Sequence, residues 1–541
     1  DCKLRVPPFT TDIAVAVTLR TDAMPTKSDD LLPGAPLQAA LQAAAARGDA
    51  SFTIKQGEYN FSAASLRLVG ATNMVITAAD ATLWFAPGGG LFVQDCTDVV
   101  IRGLTIDYSP TLAQGVVLAV DADAEAPSFT ANFDPNFLQP CPQAKTVPCK
   151  VGFWDSDSRS LVRNVTAPAA VNVFTPRVQH VAGDTWRIFV RGQGIHGVGL
   201  ARPGQLVTVF NHKSPHSYQS PNCSRITLED VSIFGGSGMG VVDGGGEGGS
   251  TYRRLQMTRR PLQRGVGMVA LAQPIARLLS TNEDGFHSNG NSNGPQIIDS
   301  TIAYTGDDLG NICSAMSVVL GQFGGRDASV GGASLALMDP VGRNLARGQA
   351  GDTLSFYHIN TQAFQGSVKL AAVPTASHDS RAVAAMRAGC ATMNAPPYSA
   401  RLGANACGHF AKGFPVSVPL DGPLPPNVTA YWTTAVLSSS DNSGARVTGS
   451  VLSDSYARAF MVKGRDAVFT GNTFRRAGGI HIGPEQNWLE GDPGIEDVRV
   501  EGNRFEEIGT PPVEINEGVP PGRKIVVRNN SNGRETMTRV H

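Results

Sequence analysis

The chain has 541 residues, 17% of them charged, and its 45 basic and 46 acidic side chains leave a formal net charge of −1. Neither sign forms a long run, so the basic stripe that tracks nucleic acid and the polybasic anchor of a membrane surface are both missing, and neither partner is expected. The 60 glycines and 35 prolines describe many turns and few long exposed helices, a composition that leans towards β structure.

The longest apolar stretch, residues 265–279, is broken by Gln273, Pro274 and Arg277 and is not a membrane span. No signal peptide precedes Asp1, which reads as the start of a processed chain. The cysteines (Cys2, Cys96, Cys141, Cys149, Cys223, Cys313, Cys390 and Cys407) show no C-x-x-C spacing and no histidine-rich partner, which argues against zinc and for disulfides. Cys141 with Cys149, and Cys390 with Cys407, are placed to close local loops. Asn-x-Ser/Thr sequons at Asn60, Asn164, Asn222, Asn427 and Asn529 add to the expectation of a secreted glycoprotein. No metal or other cofactor is expected, and the sequence assigns no oligomeric state.

In chain order, Pro36 to Arg47 reads as a helix, with proline in its first turn, an Ala and Leu-rich body and Gly48 past its end. Short β-type runs follow at 74–77, 99–106, 225–233 and 252–257; Val75 to Val100 is 25 residues and Val231 to Leu255 is 24. Near the end the runs beginning at Thr448, Thr470, Glu501 and Val527 are spaced by 22, 31 and 26 residues. A degenerate period of this kind, with Gly or Asn at the corners, is the signature of stacked β-coils, each burying its inward side chains on its neighbours. The helix would cap the first coil and cover its unpaired strand groups.

The rhythm fails at 111–210, around a Pro and Cys-containing loop, and at 321–430, which is Ala and Pro-rich with an isolated strand signal at 352–357. Both read as insertions. The expected fold is therefore all-β: a right-handed parallel β-helix with a capping helix and coils at 1–110, a small β-barrel-like insertion at 111–210, central coils at 211–320, a second insertion at 321–430 and final coils at 431–541. The glycine run at 244–249 is a corner rather than a phosphate cradle, since no strand and helix bracket it.

The chemistry concentrates in Asn282-Glu-Asp-Gly-Phe-His287 and Gly306-Asp-Asp-Leu-Gly-Asn311. Asp284 precedes Asp307 by 23 residues and Asp308 by 24, one coil period, so the three carboxylates should meet on one outer face with coils about 4.8 Å apart. Crowded carboxylates do not all ionise easily; one then serves as a general acid while another stays charged as a base, the division of labour of glycoside hydrolysis. Turn-forming Asp-Gly and Gly-Asp-Asp are ordinary in Gly-rich β-proteins, and it is their common register that favours a site. His287 and Asn311 each follow a carboxylate motif by three residues and would flank the same groove. Gly483 to Gly491 departs from the surrounding repeats and offers Glu485, Trp488 and Glu490 as polar contacts and a sugar-stacking ring. Arg458 is a further candidate for anion or hydroxyl contact. No Gly-x-Ser-x-Gly elbow supports acyl chemistry.

These motifs resemble the β-helical α-galactosidases of glycoside hydrolase family 110, which act on terminal α-1,3-linked galactose. The resemblance rests on Asp-Gly-Phe-His followed one coil later by Gly-Asp-Asp with Asn three beyond. It extends to 222–233 leading into Gly238-Met-Gly240, to Gly351-Asp-Thr-Leu-Ser-Phe356, and to Gly471-Asn-Thr-Phe474 with Trp488-Leu-Glu-Gly491. It implies a metal-independent, inverting enzyme with two inserted β-barrel domains, Asp284 as general acid, Asp307 or Asp308 activating water, and a carbohydrate partner. The chain departs from the pattern in Asp307-Asp-Leu-Gly-Asn-Ile-Cys313, where the last residue would be histidine. Polygalacturonases share a similar Asn-x-Asp and Asp-Asp pattern, but their Gly-His-Gly and Arg-x-Lys motifs are not evident downstream. A polygalacturonase-like hydrolase and a catalytically silent glycan-binding or structural β-helix are the alternatives.

Overall fold

The computed structural model describes residues 31–540 except 62–63, 122–125, 141–148, 163–172, 176, 191–200, 211–215, 261–276, 323–333, 341–344, 395–404, 456, 509–510, 517–518, 520–522 and 533–535. Cys2, Cys141 and Asn164 lie outside the described residues.

A strand of three or four residues buries only its inward side chains, as in Leu66–Val69, where Leu66 and Leu68 are buried and Arg67 and Val69 exposed. Such a strand is stable only when stacked on others. Two parallel sheets do the stacking. One has nine strands, in order Leu66–Val69, Leu91–Gln94, Tyr218–Pro221, Val241–Gly244, Phe286–Asn289, Gly310–Cys313, Phe460–Val462, Ile480–Ile482 and Val513–Ile515. The other has 19 strands. Its register steps from Val75 to Val100, Thr227, Thr251, Gln296, Arg446 and Val468. The molecule is thus the expected all-β parallel β-helix, and one apolar core runs through it from Leu37 to Val527.

Each coil turns one corner through a residue in the left-handed region: Asp230 at φ 55°, Arg254 at 51°, Asp299 at 49°, Gly449 at 61°, Gly471 and Gly502 at 64° and Asn529 at 54°. This ladder corrects the spacing read for the final coil. Glu501 pairs with Arg528, one residue later than the repeat motif suggested, so Asn529 stands where the three preceding coils have Gly449, Gly471 and Gly502. Beneath the corner, Asn472 Nδ2 donates to Asn503 Oδ1 at 3.0 Å and Asn503 Nδ2 to Asn530 Oδ1 at 3.0 Å, an amide ladder that satisfies buried polar groups between coils.

The helix spans Gly34–Arg47 and ends on Gly48 at φ 73°; Leu37, Leu41 and Ala44 are buried against the first coil. Gln38 and Gln42 treat the first strand of the nine-stranded sheet as a neighbouring strand would. The Gln38 amide accepts from Arg67 N at 2.6 Å and donates to Arg67 O at 2.9 Å, and Gln42 does the same at Val69. The cap therefore pairs the edge as well as covering it.

Strands from Ala113–Asp121 to Leu206–Phe210 form a seven-stranded antiparallel sheet with its own apolar cluster around Phe129, Phe133 and Phe153. Strands from Ser317–Gln322 to Thr433–Leu437 form a second such sheet. It closes on itself, because Ser334–Asp339 pairs with both Ser317–Gln322 and Phe414–Asp421. Beside it lie helices Ser380–Asn394 and Asn405–Lys412, which the expectation of a small β insertion did not include. Cys390, on the first of these, is disulfide-bonded, whereas Cys96, Cys223 and Cys313 are buried free thiols. Of the sequons, Asn427 and Asn529 are exposed and Asn60 is half-buried in a strand. The Asn222 amide is already committed to Asp95 Oδ1 at 2.5 Å, which counts against its use as a glycosylation acceptor.

Candidate active site

The residues entering the nine-stranded sheet stack as regularly as its strands. Gly285 N donates to Asp308 O at 2.9 Å and Leu309 N to Arg458 O at 3.0 Å, so Asp284, Asp308 and Arg458 occupy one position on three successive coils. One residue earlier, the same register sets Glu283 beside Asp307. Along the strands, His287 pairs with Asn311 and Asn289 with Cys313. Gly306 and Gly285 permit the close turns: a Cβ on Gly306 would come within 2.2 Å of Asn282 O, and one on Gly285 within 2.4 Å of Ile302.

Oxygens of Asp284, Asp307 and Asp308 lie within 4.8 Å of one another. Their surroundings differ. Asp307 is met by Lys150, whose side chain is 3% exposed and whose Nζ lies 2.5 Å from Oδ2. Lys150 belongs to Cys149–Trp154, a strand of the first inserted sheet, so the insertion supplies part of the site. Asp308 Oδ1 accepts from Arg458 N at 2.8 Å and from Arg458 Nε at 3.2 Å. Burial nevertheless pushes its carboxyl up to about 7; the Arg458 charge opposes the rise, and the charges of Asp307 and Asp284 add to it. Asp284 Oδ2 accepts from His287 Nδ1 at 2.9 Å; burial raises Asp284, with the His287 hydrogen bond opposing. Burial works against charge on His287, yet its neighbours Cys313 and Asp284 carry it well above the ordinary imidazole range.

A second network adjoins the first. Arg458 Nη1 lies 2.6 Å from Glu485, and the fully buried Lys463 lies 3.0 Å from Glu485 and 2.5 Å from Glu490. Asn311 Nδ2 donates to Glu490 Oε2 at 3.3 Å. Against the penalty of burial, Lys463 and Arg458 hold Glu485 down at about 2, and Lys463 and His287 lower Glu490.

The structure therefore gathers Asp284, Asp307, Asp308, His287, Asn311, Arg458, Glu485 and Glu490 into one connected site. Trp488 is 49% exposed on the same loop and sits edge-on to His409 with ring centroids 6.4 Å apart, outside the ion-pair network. Sequence reasoning missed Lys150, Lys463 and Glu283. Glu283, pushed up to about 7 by burial and then by Asp284 and Asp307, was legible, since it stands one coil before Asp307 just as Asp284 stands before Asp308. Lys150 carried no such signal, because its strand belongs to another sheet.

No family model and no curated protein matches the chain. Among solved structures, the A-module of the mannuronan C-5 epimerase AlgE4 of Azotobacter vinelandii is similar at 10% identity and a TM-score of 0.30, over 94% of this chain and 84% of that one. A structure described as a glycoside hydrolase is similar at 8% identity and a TM-score of 0.28, over 83% of this chain and 85% of that one.

Proposed function

We propose that this chain is a secreted, carbohydrate-processing glycoside hydrolase of the family 110 type, releasing terminal α-linked galactose from a glycan. The observation that carries the reading is the convergence of Asp284, Asp307 and Asp308 within 4.8 Å, in three distinct environments, on two adjacent coils. Such a trio holds a proton and a negative charge together near neutrality, which glycosidic cleavage requires.

The environments support a division of roles. Asp308, pushed up to about 7, is the proton donor to the leaving oxygen. Asp284, bonded to a cationic His287, and Asp307, facing Lys150, are the charged pair that orients and deprotonates water. The resemblance had placed the proton on Asp284; burial and charge favour Asp308. The cations Lys150, Arg458 and Lys463 each already face a carboxylate, which favours a neutral sugar over the uronate chain of a polygalacturonase-like enzyme.

A separation of at most 4.8 Å between carboxylate oxygens lies nearer to retaining geometry, about 5 Å, than to inverting geometry, about 6.5–9.5 Å. Inversion, implied by the resemblance, then needs the water to be held by the Asp284 and Asp307 pair; a double displacement with Asp284 as nucleophile is the second reading. A panel of α-linked galactosides and galacturonides, with NMR of the first anomer released, separates these. Release of β-galactose supports inversion, α-galactose the double displacement, and release of galacturonate the uronidase alternative. Sugar binding without turnover on the whole panel, or full activity in Asp284→Asn, Asp307→Asn and Asp308→Asn, overturns the hydrolase reading.

A further inference from the structure

His287, Cys313 and Glu490 present an imidazole nitrogen, a thiol sulfur and a carboxylate oxygen within 4.8 Å of one another. They come from two adjacent coils and from the loop that folds back on them, where Ala315 bridges Glu490. His287 Nε2 and Cys313 Sγ are 3.7 Å apart. Two ligands of a tetrahedral zinc ion, at about 2.0–2.1 Å for nitrogen and about 2.3 Å for sulfur, stand about 3.6 Å apart, so this pair already has the spacing of a bound pair. The other ring nitrogen of His287 is bonded to Asp284 Oδ2 at 2.9 Å, the carboxylate–histidine arrangement that fixes the tautomer of a metal-binding imidazole. A further donor is at hand. Asn311 is 5% exposed, its Nδ2 reaches Glu490, and its Oδ1 has no hydrogen-bond partner.

We infer that His287, Cys313 and Glu490 form a site for a divalent zinc-like cation, with Asn311 Oδ1 or water completing four ligands and Asp284 orienting His287. Binding releases two protons to solvent, one from the Cys313 thiol and one from Nε2 of the cationic His287, whose Nδ1 proton stays on the bond to Asp284, so the thiolate and Glu490 balance the ion's charge. Cys313 is fully buried and the Glu490 side chain is 21% exposed, which makes the Glu490 side the way in. Lys463 competes for Glu490 but keeps Glu485, at 3.0 Å. The three ligands lie far apart in the chain, which is why no zinc spacing shows in the sequence. The site does not depend on the hydrolase reading. If both hold, the ion takes hold of the imidazole that supports Asp284.

Titration of the full chain with Co²⁺ tests this. One equivalent should bind with a thiolate-to-cobalt charge-transfer band, displaced by Zn²⁺. The band should vanish in Cys313→Ser, and affinity should fall by roughly 10- to 100-fold in Asp284→Asn, through loss of the orienting carboxylate. Should Cys313→Ser not fold, the ¹¹³Cd resonance of the wild-type chain still reports whether one sulfur is bound. No stoichiometric binding, a band that persists in Cys313→Ser, or a cadmium resonance without sulfur overturns the assignment.

Discussion

Lys150 and Asp307 face each other at 2.5 Å across 157 residues of chain, the lysine on an inserted antiparallel sheet and the aspartate on a coil of the β-helix. A nearly buried ammonium opposite a carboxylate of the proposed site fixes that carboxylate's position and charge together. In Lys150→Met, kcat should drop by about 10²-fold, the order of loss that a misplaced catalytic group produces. The parallel coils do not rely on the lysine, so the far-ultraviolet circular dichroism should stay that of the wild type. Unchanged steady-state kinetics in the folded variant would remove Lys150 from the site.

With Asp308 as proton donor at about 7, kcat/KM should decline as pH rises through about 7. Arg458 opposes the rise in Asp308. In Arg458→Met the alkaline limb should therefore move to higher pH, whatever happens to the maximal rate. A limb that stays in place or moves down would transfer the proton to another group.

The fold should be more stable in mild acid than in mild alkali. Asp308, Glu283 and Asp441 are pushed up to about 7 and Asp243 to about 6, in each case chiefly by burial. Between the ordinary carboxylate range and these values the folded chain binds protons that the unfolded chain does not. The resulting stability is complete below the unfolded values and is lost as pH rises through 6 to 7. His216, lowered to about 4 by burial and by His287, works in the opposite sense below the ordinary histidine range. The melting temperature should accordingly be several degrees higher near pH 5 than near pH 8, roughly what a few kcal/mol produces in a chain of this size. A flat or rising profile from pH 5 to 8 would contradict it.

Asn503 accepts from Asn472 N and Nδ2 and donates to Phe469 O and Asn530 Oδ1, and it is 2% exposed. Asn503→Leu strands these groups without water, so it should destabilise the final coils by about 1–3 kcal/mol. Urea unfolding followed by circular dichroism would measure it. The same substitution at the exposed Asn529 should cost less through lost hydrogen bonds and more through its backbone, held at φ 54°.

The parts of the fold that repeat were legible. Val75 and Val100, spaced as one period, do pair, and Asp284 and Asp308 do share a coil position, because a parallel coil turns sequence distance directly into neighbourhood. The slip of one residue at Arg528 arose where Asn529 replaced the glycine that marks the corner. What repetition cannot report is contact between modules. Lys150 reaches Asp307 through antiparallel pairing local to its own sheet, and Lys463 is one buried cation just past a strand that otherwise reads as core, Phe460–Val462. The helices at Ser380–Asn394 and Asn405–Lys412 were hidden for a related reason, since they pack on each other, on the closed ring and on the loop at Gln486–Trp488 rather than in the strand ladder of the coils.

Each insertion leaves the coil ladder unbroken: Arg102 pairs with Glu229 across the first, and Ile298 with Thr448 across the second. The scaffold is thus spliced in space where the chain is interrupted, and an insertion can be gained, lost or exchanged without resetting the register of the later coils. The two are not equivalent in what they take with them. Exchanging the first would carry off the counter-ion of Asp307, whereas exchanging the second would carry off His409, which meets Asn487 O at 3.2 Å on the loop between Glu485 and Glu490.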